Sequence, residues 1–193
     1  MKEEVDLAPR DRMIEAAIML MRRSGYSGVG MNEVLAESRA PKGSMYHYFP
    51  AGKRQMAAEA LTLYAERIVA FIDENLSRGR TSEGKVRCLF EAFGKRLEQF
   101  DYRQSCAAGC VSLDLAPETE DVRSAVQGAF ARYIEAISRH FAFRSRARAA
   151  SFAGFILTAI EGAYVRGRAE HSSAAFREAG EWLARLAEAE SAA

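Results

Sequence analysis

Apolar residues along this 193-residue chain recur at helical spacing almost from end to end, and no run alternates with the period of two that a half-buried strand needs. The pattern predicts an all-α fold. Ile14, Ala17, Ile18 and Met21 stand at i, i+3, i+4 and i+7, behind Pro9, whose fixed φ suits a first helical turn, and ahead of Gly25 as a stop. A first helix from Pro9 to Ser24 follows. After the connector Gly25 to Gly30, Val34 and Leu35 mark a short helix from Met31 to Ser38, with Glu33 in its first turn. A break at Arg39-Ala40-Pro41 precedes another short helix, Lys42 to Phe49, buried through Met45 and Phe49 and ended by Pro50-Ala51-Gly52. Three helices packed this closely have the spacing of a helix-turn-helix unit.

The remainder is longer and simpler. Ala57, Ala60, Leu61, Tyr64, Ile68, Phe71 and Ile72 mark a long helix up to Arg78, and Gly79 to Ser82 reads as a turn with Ser82 as cap. Val86, Leu89, Phe90, Phe93, Leu97 and Phe100 mark the next helix. An irregular segment, Asp101 to Pro117, holds the run Cys106-Ala-Ala-Gly-Cys110 and one short helix. Val122, Val126, Ala129, Phe130, Tyr133 and Ile137 define a further helix, with Glu118, Glu120 and Asp121 at its positive N-terminal end. Helices from Ala147 to Arg168 and from Ser173 to Glu190 close the chain. The expected division is 1–52, a helix-turn-helix domain with the start of the fourth helix behind it, and 53–193, a larger helical domain.

Charge changes the picture at one place only. The chain carries 27 Lys+Arg against 26 Asp+Glu, a net charge of +1, which argues against a uniformly basic coat. Yet from Ser38 to Ala58 the only charged residues are Arg39, Lys42, Lys53 and Arg54, a local basic stretch between flanks of mixed sign. No stretch reaches the roughly 20 apolar residues of a membrane span, and the acidic start is unlike a signal peptide, so the expected location is the cytoplasm. Three cysteines, an odd count, argue against a structural disulfide. Cys106 and Cys110, at i and i+4, fit either small apolar filling or a redox pair.

The stretch Gly25 to Met56 carries the candidate chemistry. It contains Gly43-Ser44-Met45-Tyr46-His47-Tyr48-Phe49 with Lys53 four residues on. This resembles the recognition helix of the TetR family of transcriptional regulators, which runs Gly-Thr/Ser-hydrophobic-Tyr-x-His-Phe followed by Lys. The form APKGSxYxxFPxGK is similar in particular to the LmrA/YxaF-like subgroup. The resemblance implies an N-terminal DNA-binding domain, with Arg39, Lys42, Gly43, Ser44, Tyr46, His47, Tyr48 and Lys53 as DNA-binding residues. Physical chemistry agrees: Gly43 and Ser44 permit close backbone approach, Lys42 and Lys53 supply charges for phosphates, and Tyr46, His47 and Tyr48 offer groups for phosphate or base edges. The competing reading is an aromatic-rich core helix beside a solvated basic face. Met45 and Phe49 can satisfy the core between them, leaving Lys42, Ser44, Tyr46 and His47 on other faces.

Three positions depart from the family pattern. Arg39 stands where the turn usually has Gly, at a cost of about 1 kcal/mol if its φ is positive. Met31 replaces a capping Thr, leaving Gly30 as the cap, and Tyr48 replaces a common His.

The resemblance further implies that the C-terminal domain binds a small molecule and dimerises. Candidate ligand-binding residues are Phe90, Phe93, Leu97, Cys110, Leu113, Phe130, Tyr133, Phe152 and Phe155, which together supply large apolar volume, unless they simply pack together. Gly109-Cys110 matches the subgroup's Gly-Cys pair, with Val111 where Pro is usual. The effector implied by the subgroup is small and hydrophobic or aromatic. Candidate dimer residues are Ile156, Ile160, Ala163, Phe176, Trp182, Leu183 and Leu186 on the last two helices, whose small and apolar surfaces suit a four-helix interface. The expected partners are therefore double-stranded operator DNA, a small effector and a second copy of the chain, without a cofactor, metal or membrane.

An enzyme is the main competitor. The one Gly-rich loop, Gly25-x-x-Gly28-x-Gly30, follows a helix rather than a strand, the wrong setting for a phosphate cradle. His47, His140 and His171 lack metal-ligand spacing, and no nucleophile, base and orienting group assemble locally. The resemblance implies a one-component transcriptional regulator, more as repressor than activator. The alternative is a helical small-molecule-binding protein or an enzyme without DNA-binding activity.

Overall fold

The structure, a computed structural model, describes residues 7–116 and 119–192, apart from the side chain of Lys42. The acidic start, Glu118 and the expected phosphate contact of the Lys42 side chain lie outside the described residues. Among those described there are nine α-helices and no strand: α1 (Pro9–Ser24), α2 (Met31–Ser38), α3 (Met45–Tyr48), α4 (Lys53–Ser77), α5 (Ser82–Gln99), α6 (Ala107–Ser112), α7 (Glu120–Ser138), α8 (Arg146–Glu170) and α9 (Ala174–Ala192). None of these helices is long and apolar enough to cross a membrane. The chain divides into two compact units, Met1–Tyr64 with Ala107–Gln127, and Ala65–Cys106 with Gly128–Ala193. The expected boundary after residue 52 falls inside the first unit.

The first unit is built on α1. Pro9 opens that helix, and Gly25 closes it with φ +71, its amide donating to the Met21 carbonyl at 3.0 Å. The apolar stripe of α1 is buried throughout: Met13, Ile14, Ala17, Ile18 and Met21. α6 lies against α1 through Ala107, Ala108 and Val111, all fully buried. α2 starts from Gly30, which is extended and offers no side-chain cap, and stops at Arg39 in the left-handed region with φ 51. Arg39 therefore bears the cost of about 1 kcal/mol that glycine would avoid.

The helix expected over Lys42 to Phe49 is instead two pieces, a 3-10 turn over Lys42–Ser44 and then α3. Pro41 holds an extended conformation (φ -61, ψ 135), and Ser44 bonds back to the Pro41 carbonyl twice, by its amide at 3.0 Å and by its hydroxyl at 2.6 Å. Such i to i+3 closure is the tighter helical form. Met45 and Phe49 are buried, as their spacing predicts.

In the second unit α5 packs along α9, with α8 beside both. Close approach depends on small residues: a Cβ at Gly180 would lie 2.8 Å from the Cβ of Phe90, and one at Gly167 would lie 2.5 Å from Cδ2 of Leu97. The cap of α5 is Thr81 rather than Ser82. Thr81 keeps an extended backbone, and its hydroxyl accepts the Gly84 amide at 3.0 Å, whereas Ser82 is already inside the helix. Ser145 caps α8 in the same way, accepting the Arg148 amide at 3.1 Å. Of the exposed Arg144, Arg146, Arg148 run, expected as a turn, only Arg144 precedes α8; Arg146 and Arg148 belong to its first turn, and Arg148 pairs with Glu190 of α9.

Candidate nucleic-acid interface

With Met45 and Phe49 turned inward, α3 presents its other faces to solvent. Tyr46 is 71% exposed, His47 is exposed, and Ser44 and Tyr48 are part-buried. A tyrosine exposed to this degree adds little to the packing of its own chain. The His47 and Tyr48 rings meet edge to face with centroids 5.1 Å apart. A Cβ at Gly43 would meet nothing within 4 Å, so packing within the chain places no demand for glycine there. Arg39 is exposed at the turn.

Lys53, at the first position of α4, is held in a defined place. Its ammonium lies 4.3 Å from the centroid of the Tyr26 ring, a cation–π contact. Burial lowers its pKa while Asp114 acts to raise it. Its neighbour Arg54 lies 3.9 Å from Asp121. The first unit thus brings Arg39, Gly43, Ser44, Tyr46, His47, Tyr48 and Lys53 together within the segment around α3. Tyr26 and Asp114 belong to this arrangement too, and neither was expected from sequence.

The expected ligand residues separate. Cys110 and Leu113 fall in the first unit, where the Cys110 thiol donates to the Arg22 carbonyl at 3.4 Å and Leu113 is 83% exposed. The other seven lie in the second unit but in several clusters. Phe93 meets Phe71 and Tyr164 edge to face, Phe130 faces Tyr133, and Phe152 meets Phe141 and Phe143. Phe90 and Leu97 are buried against the glycine contacts of α9 and α8. Phe155 is 54% exposed on α8, away from these clusters.

Among the expected dimer residues, Ile156, Ile160, Ala163 and Phe176 are buried in the chain's own core. They occupy the inward stripe of α8 and the contact of α9 with Gly94 and Tyr164. The outward face carries Trp182, 71% exposed, with Leu186, Phe155, Ala159 and Ala179 around an apolar groove of about 360 Å³ whose floor is the buried Leu183. Phe155 and Ala179 were not expected at this face.

The second unit also holds an acid that sequence reasoning passed over. Burial raises the pKa of Glu161 from 4.5 to about 7, and a hydrogen bond from the Cys106 thiol pulls it down. Folded chains therefore keep the Glu161 proton between pH 4.5 and 7 while unfolded chains release it. Stability falls as pH rises through that window, by about 1.4 kcal/mol per pH unit and about 3 kcal/mol in all. Glu161→Gln is expected to melt with wild type near pH 4.5 and well above it at pH 8, as followed by circular dichroism. Parallel pH dependence in the two proteins would remove this account of Glu161.

Comparison with known proteins matches the two halves of the chain to one family. The sequence model for bacterial regulatory proteins of the tetR family matches residues 13–60, and that for the LmrA/YxaF-like transcriptional regulator C-terminal domain matches residues 83–182, more than half of the chain. An HTH-type transcriptional regulator of Mycobacterium tuberculosis is 33% identical over 120 residues, 61% of this chain. The matched region spans 58% of that curated relative. Among solved structures, the regulatory protein TetR from Rhodobacter sphaeroides superposes with a TM-score of 0.81 at 20% identity, covering 92% of this chain and 97% of that one. A cysteine mutant of the TetR-family regulator CifR, in complex with a 26bp double-strand operator DNA, gives 0.77 at 18% identity, covering 91% and 94%. At these identities the two structures speak to the fold alone. This all-helical chain belongs to the LmrA/YxaF-like transcriptional regulators of the TetR family, a family of regulators rather than enzymes.

Proposed function

We propose that this chain is a ligand-responsive, one-component transcriptional repressor of the cytoplasm, which binds operator DNA as a homodimer and leaves it when a small hydrophobic or aromatic effector binds. The observation that carries the reading is the solvent face of α3. Met45 and Phe49 fix the helix to its core, and Tyr46 and His47 stand exposed in a segment that also holds Arg39, Gly43, Ser44 and Lys53. On such a face Tyr46 and His47 reach base edges or thymine methyls in the major groove, with Tyr48 beside them, while Arg39, Lys42 and Lys53 bind phosphates. The open space at Gly43 supports close backbone approach to the duplex.

In this reading residues 1–52 dock on DNA, and residues 53–193 bind the effector and dimerise. The aromatic residues Phe90, Phe93, Phe130, Tyr133 and Phe152 with Leu97 are its candidate effector contacts in the second unit. The groove around Trp182 supports self-association, because an exposed tryptophan beside leucines is the kind of surface that a partner covers. Half-sites on one face of DNA lie about 34–36 Å apart or at multiples of this, so a small change in subunit angle spoils simultaneous docking. The effector shifts the balance only by its differential affinity for the two arrangements, typically about 1–3 kcal/mol.

Selection from a random pool of duplexes by the immobilised protein tests the reading. An inverted repeat with half-sites one or more helical turns apart is the expected product. A pool with no enriched motif after repeated rounds would end it.

A further inference from the structure

Asp114 stands two residues beyond α6, and its carboxylate closes on the loop that follows α1. The Tyr26 amide donates to Oδ1 at 3.1 Å and the Ser27 amide donates to Oδ2 at 2.6 Å. The Ser27 hydroxyl adds a longer bond to the Asp114 carbonyl at 3.5 Å. Two consecutive backbone amides on one carboxylate are charge-assisted bonds, stronger than neutral ones. Gly25 shapes the loop for this purpose: besides its positive φ, a Cβ there would lie 2.9 Å from Oδ2 of Asp114 and 3.1 Å from the Cys110 carbonyl.

The clamp is not needed to dock α6. Ala107, Ala108 and Val111 already bury that helix against α1, whereas Ser27 is exposed. What the clamp does fix is the Tyr26 backbone, and the Tyr26 ring is the platform under the Lys53 ammonium at 4.3 Å. Lysine has a flexible four-carbon stem, so a platform that limits its rotamers lowers the ordering cost of a phosphate contact. Asp114 also favours the charged form of Lys53 against the effect of burial. Burial and Asp121 raise the Tyr26 hydroxyl pKa, Arg54 opposes them and Asp114 adds to them, so the ring under Lys53 is a neutral phenol.

We infer that Asp114 is a positioning residue for DNA docking: by holding the Tyr26–Ser27 backbone from the end of α6, it sets the ring that aims Lys53 at a DNA phosphate. The inference rests on the regulator reading above. It goes beyond that reading because Asp114 and Tyr26 lie outside the α3 segment and neither is expected to touch a base.

A double-mutant cycle tests it. Wild type, D114A, K53A and the double variant are titrated onto the duplex that wild type selects from a random pool, across a salt series. D114A is expected to weaken binding about tenfold, and its log–log salt slope to become shallower by about 0.9 per subunit, one phosphate contact. In the K53A background the same substitution is expected to cost less than twofold, because the group it positions is gone. Wild-type affinity in D114A, or an equal loss in both backgrounds, overturns the inference, since a purely structural role would cost the same with or without Lys53. If D114A melts below the assay temperature, D114N takes its place in the cycle. It keeps one acceptor and removes the charge, and a smaller loss confined to the Lys53 background is expected. Failure of wild type to select any duplex would be seen before any variant is measured and strikes the regulator reading itself.

Discussion

Alanine at Tyr46 is expected to cost operator binding about 1–3 kcal/mol, a loss of roughly five- to 150-fold, with the melting temperature and the dimer unchanged. The expectation follows from where the side chain stands. Tyr46 is 71% exposed on a helix whose core contacts come from Met45 and Phe49, so its removal opens no cavity. Whatever the ring contributes is realised against a partner. Alanine at Lys53 acts differently. It is expected to weaken binding to every sequence by a similar factor and to flatten the salt dependence by about one phosphate contact per subunit, because an ammonium reads charge rather than sequence. Anisotropy titrations on the selected duplex and on a single-base variant separate the two effects. Wild-type affinity in both variants would remove α3 and the start of α4 from the interface.

Glutamate at Trp182 is expected to split the dimer. Buried tryptophans at interfaces are worth about 2 kcal/mol or more on truncation, and an unpaired carboxylate in a groove lined by Phe155, Ala159, Ala179, Leu183 and Leu186 adds a desolvation cost. The folded subunit should tolerate the change, because Trp182 is 71% exposed within it and the α5–α9 core is closed by Phe90, Leu183, Ala184 and Ala187. Sedimentation at micromolar concentration should give a monomer of unchanged helicity. DNA affinity should fall with it, since each recognition helix then docks alone instead of sharing the effective concentration of a linked pair. A Trp182→Glu protein that remains dimeric would move the interface away from this groove.

The local rules of helix formation were almost all legible in the sequence. Pro9, Gly25 and the apolar stripe between them set α1, and Met45 and Phe49 were placed by spacing alone. Arg39 was readable as a strained cap, and its φ of 51 agrees. Capping needed finer geometry: Thr81 and Ser82 are both competent residues, and only the extended backbone at Thr81 selects it. The faces of α8 were harder. Ile156, Ile160 and Ala163 run along one side while Phe155 and Ala159 run along another, so the helix is apolar on both. Both sides satisfy the apolar pattern, and packing against the subunit's own core takes the Ile156, Ile160 and Ala163 side, which the pattern alone assigns to a partner. Glu161 left a signal that could have been used, the only charged residue between Ala149 and Val165. Asp114 left none. It meets Tyr26 and Ser27 across almost ninety residues, and a lone aspartate near a proline reads as a solvated turn.

Whether this chain reads a DNA sequence is decided by fluorescence anisotropy of the purified protein on the duplex upstream of its own gene and on a scrambled duplex, over a range of salt. Binding to the upstream duplex tighter by about a thousandfold or more, with affinity falling steeply as salt is raised, is the expected result. Equal and weak binding to both duplexes at every salt concentration would contradict it.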